Sequence, residues 1–204
     1  MQNLEKLYNS GFFSKRARYH WRAPIVCNSI AAWFELQGRA LTSAIDVGCA
    51  TGDLVRGFEE LELRATGFEG SPAAEPYIVC KSKNWNCVDM RFPFEATWER
   101  FDVCTCFEVV EHIEEEYADQ LLDNLVALSD ILIISAARPH PTKAPTRYHP
   151  NEQEPEYWVE RFAARSYAAD WEMFQFFREA WGPWRRSYGV KAFWENLLCF
   201  RRTA

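Results

Sequence analysis

The stretch that decides the fold is Asp46-Val-Gly-Cys-Ala-Thr-Gly52 (DVGCATG), which lies between two apolar segments. Residues 44–47 form a short apolar run typical of a buried strand, whereas residues 54–61 have apolar side chains at helical spacing. The glycines at 48 and 52 let the chain turn sharply and let a ligand touch the backbone. The sequence therefore predicts a ligand-binding turn between a buried strand and a helix.

The acid at the start of this turn narrows the class of ligand. Asp46 would repel the pyrophosphate of a dinucleotide, but its charge suits the ammonium and sulfonium groups of S-adenosylmethionine (SAM). The glycine spacing also differs from the Gly-x-Gly-x-x-Gly pattern of NAD sites. The turn therefore favours SAM over NAD.

Two further acids follow strand-like segments. Glu69, in Gly67-Phe-Glu-Gly-Ser71, comes 23 positions after Asp46, where a carboxylate can accept hydrogen bonds from both ribose hydroxyls. Asp89, in the NCVDM stretch of residues 86–90, comes 20 positions after Glu69 and is placed to accept a hydrogen bond from an adenine amino group. We expect the three acids to converge around one positively charged nucleoside.

The rest of the chain alternates between strand and helix signals. Because the strand candidates are apolar on both faces, we expect a parallel sheet covered by helices, an α/β fold. The strand candidates are residues 44–47, 65–68, 85–88, 101–107, 131–135, 167–171 and 196–202. The helix candidates include residues 23–34, the segment that follows Tyr117, and residues 155–164 and 172–181.

A proline-rich segment interrupts this pattern. Residues 138–155 contain five of the ten prolines, so neither a helix nor a sheet interior is expected there. The segment follows the fifth strand candidate, and ligands of open α/β sheets bind beyond the carboxyl ends of strands. We expect a functional loop on the substrate side, and a plain surface excursion is the alternative. Within it, Asn151 and Gln153 could bond a hydroxylated acceptor, and a helix-capping turn before Glu156 is the alternative there.

Glu108-Val-Val-Glu-His112 is the richest chemical cluster and follows the strongest strand candidate. If Glu108 begins a helical turn, Glu111 and His112 lie on the same face. Together with His149 or His140 from the loop, these side chains could hold Mg²⁺ or a similar cation. The alternatives are His112 as a general base or as a group that positions the acceptor, and acids that only begin a helix.

Composition excludes several classes of protein. The 204 residues are 48% hydrophobic and 25% charged, which predicts one globular domain over residues 1–204, with a helical segment at 1–38. The net charge of -6 disfavours a large nucleic-acid surface. No signal peptide or membrane-spanning stretch is apparent, and the seven cysteines include no Cys-x-x-Cys pair, so we expect a cytoplasmic protein with reduced thiols.

From about residue 23 to residue 202, the chain resembles the class I SAM-dependent methyltransferases. DVGCATG resembles their glycine motif, GFEGS their ribose-binding acid, NCVDM their adenine-contacting region and FDVCTCFEVVEHI their fourth-strand segment. The resemblance implies a single-domain Rossmann-like sheet of seven strands, mostly parallel with the last antiparallel. One departure is Ala50, which stands where many members have the central glycine. The implied cofactor-binding residues are Asp46, Gly48, Cys49, Ala50, Gly52, Glu69, Gly70, Asp89, Met90 and Phe107.

The Glu-x-x-Glu-His segment also resembles two metal-using groups, the ubiquinone-biosynthesis O-methyltransferases and the small-RNA 2′-O-methyltransferases. The resemblance implies metal ligation by Glu108, Glu111, His112 and His149, the last matching a loop histidine of the second group. Glu111, His112 and His149 are the expected catalytic residues. His20 could cover the cofactor pocket, although packing at the surface is the simpler interpretation.

These patterns favour O-methylation of a small hydroxylated acceptor such as a sugar or phenol. A metal-dependent RNA 2′-O-methyltransferase is the alternative that the net charge disfavours. A SAM-binding module without catalysis is the third, and the presence of Glu108, Glu111 and His112 argues against it.

Overall fold

The computed structural model describes residues 4–16, 18, 20–94, 98–142, 148–187 and 189–203. Internal contacts divide the chain into two compact units, Met1–Asp89 (unit 1) and Met90–Ala204 (unit 2). The prediction of a single domain over residues 1–204 stays a prediction. Among the described residues, no helix has the length and apolar character needed to cross a membrane.

Unit 1 begins with helices and continues with alternating strands and helices. The helices expected within residues 1–38 are present in the described part of that segment. The elements are α1 (Leu4–Leu7), α2 (Ser10–Arg16), α3 (Ala23–Leu36), β1 (Ser43–Val47), α4 (Asp53–Glu60), β2 (Arg64–Glu69) and β3 (Trp85–Cys87).

The strands of unit 1 are parallel, and their register places the predicted acids near one edge. β1 pairs with β2, with Asp46 opposite Gly67, and β2 pairs with β3, with Glu69 opposite Cys87. Every residue of β1 is buried, as an apolar run covered on both faces requires. Because carboxyl ends of parallel strands meet at one edge, the loops that follow β1, β2 and β3 begin side by side.

Unit 2 continues the alternation with a second group of strands. Its elements are β4 (Val103–Phe107), α5 (Ala118–Leu128), β5 (Ile131–Ser135), α6 (Pro155–Ala163), β6 (Tyr167–Ala169), α7 (Trp171–Ala180), α8 (Lys191–Glu195) and β7 (Leu197–Arg202). β4 and β5 are parallel, and β7 runs antiparallel to both β5 and β6.

The strand order along the sheet is β3-β2-β1-β4-β5-β7-β6. The α/β fold with seven strands, mostly parallel and with an antiparallel last strand, is therefore confirmed. Cys104 and Cys106 are fully buried in β4, and all seven cysteines are free thiols.

Small differences in element bounds have local physical causes. α7 begins at Trp171, one residue before its predicted start, because the side chain of Asp170 accepts a hydrogen bond from the amide of Met173 at 2.9 Å and caps the helix. The proline-rich segment contains no helix or strand within residues 138–142 and 148–154, and Pro155 itself starts α6. Residues 143–147, including Pro145, lie outside the described residues.

Candidate functional site

The glycine turn of unit 1 is held by backbone hydrogen bonds from β2. The amides of Gly48 and Cys49 both donate to the carbonyl of Phe68, at 2.7 and 2.9 Å. Gly48 and Gly52 have φ angles of 72° and 77°, in the left-handed region that glycine adopts without strain. Ala50 also lies there, with φ of 48°, at a cost of roughly 1–2 kcal/mol. The chain therefore keeps the turn geometry at this position despite the missing glycine.

Glu69, the last residue of β2, lies beside this turn and is buried. Oε2 accepts the amide of Ala50 at 3.0 Å, and Oε1 accepts the amide of Ser71 at 2.9 Å. Burial raises the pKa of Glu69 to about 7, although the backbone donors oppose this shift. Each oxygen keeps a further lone pair, so the carboxylate can still accept from a pair of ribose hydroxyls.

Asp46 and Asp89 lie near the carboxyl ends of the two strands that flank β2. Asp46 is the fourth residue of β1 and is 4% exposed, whereas Asp89 is half-buried just beyond β3. The three acids therefore lie at or near the carboxyl ends of three adjacent parallel strands of unit 1. Their convergence around one nucleoside stays a prediction.

Residues 79–85 cover the glycine turn, a feature that no sequence pattern indicated. The amide of Val79 donates to the Thr51 carbonyl at 2.9 Å, and Nε1 of Trp85 donates to the Ala50 carbonyl at 3.1 Å. A Cβ atom on Gly52 would lie 2.5 Å from Sγ of Cys80. The turn is thus held both by residues 79–85 and by β2.

Further contacts bring the N-terminal segment to the same turn. Oγ of Ser71 donates to the carbonyl of Tyr8 at 2.7 Å, and Arg22 forms a buried ion pair with Asp53, at the first residue of α4, at 2.6 Å. Nδ1 of His20 is buried and has no hydrogen-bond partner among the described residues. Its expected neighbour Tyr19 lies outside them.

Some predicted cofactor contacts have buried side chains. The Cys49 side chain is 2% exposed and packs on Gly67, so only its backbone could meet a ligand. Met90, in unit 2, is 5% exposed and its carbonyl accepts Nδ2 of Asn124 at 3.0 Å. Phe107, also in unit 2, is 7% exposed and stacks on Phe193 with ring centroids 4.4 Å apart.

The expectation that Glu108 begins a helical turn is wrong. Its φ angle is 56°, in the left-handed region, and the 3₁₀ turn that follows is Val110–His112. The Glu108 amide donates to both the carbonyl and the hydroxyl oxygen of Ser135, each at 3.0 Å, and this fixes the reversal at the end of β4. Oε1 of Glu108 accepts Nδ2 of Asn196 at 3.1 Å.

Three of the four predicted metal ligands converge in unit 2. Glu111, His112 and His149 each offer a ligand atom, and these atoms lie within 4.8 Å of one another. Glu108 is not part of this group. His140 is exposed, and its Nδ1 accepts the amide of Thr142 at 3.2 Å, so His149 is the loop histidine that joins the cluster.

Neighbouring groups orient both imidazole rings. Nδ1 of His112 bonds to the carbonyl of Tyr148, and Nδ1 of His149 bonds to Oε1 of Glu152 at 2.7 Å. A carbonyl or carboxylate oxygen accepts, so Nδ1 carries a proton in each ring, and in the neutral form of the ring Nε2 carries a lone pair. Such an acceptor behind a histidine is the usual support of a metal ligand.

Glu111 is the unusual member of the cluster. Its side chain is fully buried, and neither carboxylate oxygen has a hydrogen-bond partner among the described residues. Burial raises the pKa of Glu111 well above its usual value, with a further contribution from the charge of Glu108; the nearby amides of Glu111 and Ala137 oppose the shift only in part. A buried carboxylate beside two lone pairs fits a divalent cation, which would offset the cost of burial.

Asn151 is packed beside this cluster. Its amide N–H donates to the carbonyl of Glu111 at 3.1 Å, and its Oδ1 accepts Nε2 of Gln153 at 3.0 Å. The side chain is 1% exposed, and its Nδ2 has no hydrogen-bond acceptor among the described residues. The sequence analysis missed three residues that bond to members of the site: Tyr148, Glu152 and Asn196. No sequence motif indicates which oxygen will accept a hydrogen bond from a histidine, or which amide will donate one to a glutamate.

Comparison with known proteins agrees with this fold. Residues 18–185 match the sequence family described as a methyltransferase domain. None of the curated proteins matches the chain. The structure resembles the magnesium protoporphyrin IX methyltransferase ChlM from Synechocystis PCC 6803 with bound S-adenosylhomocysteine (SAH), at 16% identity and a TM-score of 0.59, over 94% of this chain and 88% of ChlM.

Two other solved structures resemble it to a similar degree. The plantazolicin methyltransferase BpumL in complex with SAH has 14% identity and a TM-score of 0.60, over 95% of this chain and 89% of BpumL. The small RNA methyltransferase HEN1 has 16% identity and a TM-score of 0.57, over 87% of this chain and 25% of HEN1. With the family match over residues 18–185, the chain belongs to the methyltransferase domain family and is a SAM-dependent methyltransferase.

Proposed function

We propose that the protein transfers the methyl group of SAM to a hydroxyl oxygen of a small acceptor, with the help of a divalent cation such as Mg²⁺. The observation that supports this most is Glu111, a buried carboxylate without a hydrogen-bond partner among the described residues, which faces Nε2 of His112 at 4.0 Å. An N- or C-methyltransferase has no need to hold a cation at this place.

The residues of unit 1 would bind SAM. Glu69 would accept the ribose hydroxyls, Asp89 the adenine amino group, and Asp46 would attract the positive charge of the methionine moiety. SAM could approach the backbone closely where the side chains are absent or small, at Gly48, Ala50, Gly52 and Gly70. Oγ1 of Thr51 and Nδ1 of His20 are buried polar atoms without a partner in the described part of the chain, and they could bond the same ligand.

The residues of unit 2 would hold the cation and the acceptor. Glu111, His112 and His149 fit the cation, which would lower the pKa of an acceptor hydroxyl and make its oxygen a better nucleophile. Glu108, whose Oε1 accepts Nδ2 of Asn196, would accept the proton of the acceptor hydroxyl. Nδ2 of Asn151, a buried donor without a partner among the described residues, would bond an oxygen of the acceptor.

The second candidate acceptor is a 2′-hydroxyl of RNA. One of the solved structures that share this fold is a small RNA methyltransferase, and the residue types of the cluster are those that the sequence resemblance implies for that group. The net charge of -6 favours the small acceptor. A panel of sugars, phenols and single-stranded RNA, assayed for SAH formation with and without a chelator, separates the two candidates.

The cation is tested by thermal unfolding of the purified protein with Mg²⁺ or Mn²⁺. At a hundredfold excess over the dissociation constant, a bound cation should add about 2.7 kcal/mol to the free energy of unfolding. Glu111→Gln should abolish this gain, because a neutral amide is a much weaker ligand for Mg²⁺ or Mn²⁺ than a carboxylate. Glu115→Gln is the matched control, since Glu115 has a 60% exposed side chain in the same stretch.

Two results would contradict the proposal. One is a cation gain of equal size in the wild type and in Glu111→Gln, and the other is SAH formation that a chelator does not reduce. His112→Ala then separates an enzyme from a binding module: lost turnover with intact SAH binding supports catalysis. Absence of turnover in the wild type on every acceptor would favour the module.

A further inference from the structure

A cluster of cations in unit 2 has no role in the function proposed above. Arg185, Arg186, Lys191, Trp194 and Glu195 line an open cleft of about 340 Å³. Three of these residues are positively charged, and Glu195, the one acid, lies 3.7 Å from Lys191. Neither arginine forms an ion pair with an acid in the described part of the chain. The lining thus carries a net charge of +2, in contrast to the net charge of -6 of the whole protein.

One wall of the cleft is built rigidly. Arg178 lies over the ring of Trp194, with its guanidinium carbon 3.3 Å from the ring centroid. Nη1 of Arg178 donates to the Trp194 carbonyl at 2.5 Å, and Nε1 of Trp194 donates to the Arg178 carbonyl at 2.8 Å. These reciprocal bonds hold the aromatic ring in a single orientation at the cleft.

Positive charge continues from the cleft towards the end of β5. Burial lowers the pKa of Arg178, and the charge of Arg138 lowers it further, so these two guanidinium groups repel each other. Arg138 comes three residues after Ser135, the last residue of β5. An oxyanion bound among these cations would relieve the repulsion.

The chain connects this cleft to the acceptor side of the site. Asn196, which donates to Glu108, follows Trp194 by two residues, a backbone distance of at most roughly 7 Å. Its carbonyl also accepts the amide of Ala136 at 3.2 Å, beside the end of β5. A ligand in the cleft would therefore lie close to the residues that hold Glu108.

We propose that this cleft binds a phosphate group of the acceptor, so that the methylated hydroxyl belongs to a small phosphorylated molecule such as a nucleotide or a sugar phosphate. The inference rests on the proposed O-methyl transfer. A phosphate monoester carries a charge of about -1.5 to -2 at pH 7, which matches the cleft, whereas a carboxylate carries half of that. A guanidinium group can donate two parallel hydrogen bonds to two oxygens of one phosphate. Trp194 offers the edge of its ring to a base or a sugar ring.

The first test measures binding without turnover. Isothermal titration with inorganic phosphate should give a dissociation constant about tenfold or more below that for acetate, and the double change Arg185→Gln and Arg186→Gln should weaken phosphate binding about tenfold or more. Arg202→Gln is the matched control, because Arg202 is an exposed arginine at the other end of β7. Equal binding of phosphate and acetate, or unchanged phosphate binding in the folded double variant, would overturn the proposal.

The second test uses paired acceptors, a nucleoside and its 5′-monophosphate. The phosphorylated member should have the lower KM, and the double variant should raise that KM about tenfold while leaving the KM of the nucleoside unchanged. If single-stranded RNA bound more tightly than the nucleoside monophosphate, and its affinity fell with salt as expected for contacts to several phosphates, the proposal of a small acceptor would be overturned. If the protein bound phosphate but methylated no acceptor, the proposed O-methyl transfer would be contradicted, whereas the proposal that the cleft binds phosphate would stand.

Discussion

Two buried glutamates occupy very different surroundings at the residue scale. Glu69 accepts two backbone amides and keeps lone pairs for a ligand, so hydrogen bonds partly offset its burial. Glu111 has no such partner in the described part of the chain, and its oxygens face imidazole nitrogens instead. The surroundings of Glu69 suit a neutral hydroxyl donor, and those of Glu111 suit a cation.

The binding of SAH should depend on pH through Glu69. Ionised Glu69 accepts hydrogen bonds from ribose better than its protonated form does, so the affinity should rise with pH through about 7. Glu69→Gln should bind more weakly and lose this dependence. Titration calorimetry between pH 5.5 and 8.5 measures both effects. An affinity that is flat with pH in the wild type would contradict the role of Glu69.

The same shift has a consequence for stability. The folded-state pKa of about 7 lies above the usual value of 4.5, so the folded protein holds this proton more tightly than the unfolded chain. The ligand-free protein should therefore lose stability as the pH rises from about 4.5 to about 7, and SAH should restore it. Chemical unfolding of the wild type and of Glu69→Gln at several pH values checks whether the free energy of unfolding falls as the pH rises.

The choice between the two loop histidines gives a matched pair of variants. His149→Ala should weaken Mn²⁺ binding by at least about tenfold, since it removes a ligand whose orientation Glu152 supports. His140→Ala should leave the affinity unchanged, because His140 is not part of the cluster. Calorimetric titration of Mn²⁺ checks both variants. Equal losses in the two variants would contradict the assignment of His149.

At the scale of elements, periodicity and turn chemistry predicted most of the fold. Strands such as β1 and β5 are short apolar runs, and sequence alone predicts them because they are buried on both faces. The left-handed backbone of Glu108 could not be predicted, because non-glycine residues rarely adopt it and Ser135, which fixes it, is 27 positions away. The ion pair of Arg22 with Asp53 spans 31 positions and likewise has no local signal.

The glycine turn offers a prediction with an internal control. Gly52→Ala should be more destabilising than Gly38→Ala, although both glycines have positive φ angles. A Cβ at Gly38 meets open space, whereas one at Gly52 would lie 2.5 Å from Sγ of Cys80. The Gly38 change should cost about 1–2 kcal/mol, and the Gly52 change should cost more and also weaken SAH binding.

Adding Cys80→Ala to Gly52→Ala should recover the steric part of that loss. Urea unfolding of the single and double variants, treated as a double-mutant cycle, measures the coupling. Additive effects of the two changes would show that Cys80 does not cover the turn.

At the scale of the whole molecule, the sequence predicted the family and the fold but not the acceptor. The motif DVGCATG and the acids at 69 and 89 predicted that the protein binds SAM. They could do so because turns and strand ends depend on residues that are close together in the sequence. The net charge of -6 hides the basic cleft at residues 185–194, since a sum over the chain says nothing of where the charges lie. In the sequence, Arg185 and Arg186 form a basic pair, a pattern that by itself is typical of a solvated surface.

The most direct test of the account is a crystal structure with SAH and Mn²⁺, using anomalous diffraction above the manganese absorption edge. We expect an anomalous peak coordinated by Glu111, His112 and His149, with the ribose hydroxyls of SAH on Glu69. A structure with SAH bound and no anomalous density at those three side chains, at millimolar Mn²⁺, would contradict the claim that this methyltransferase uses a cation.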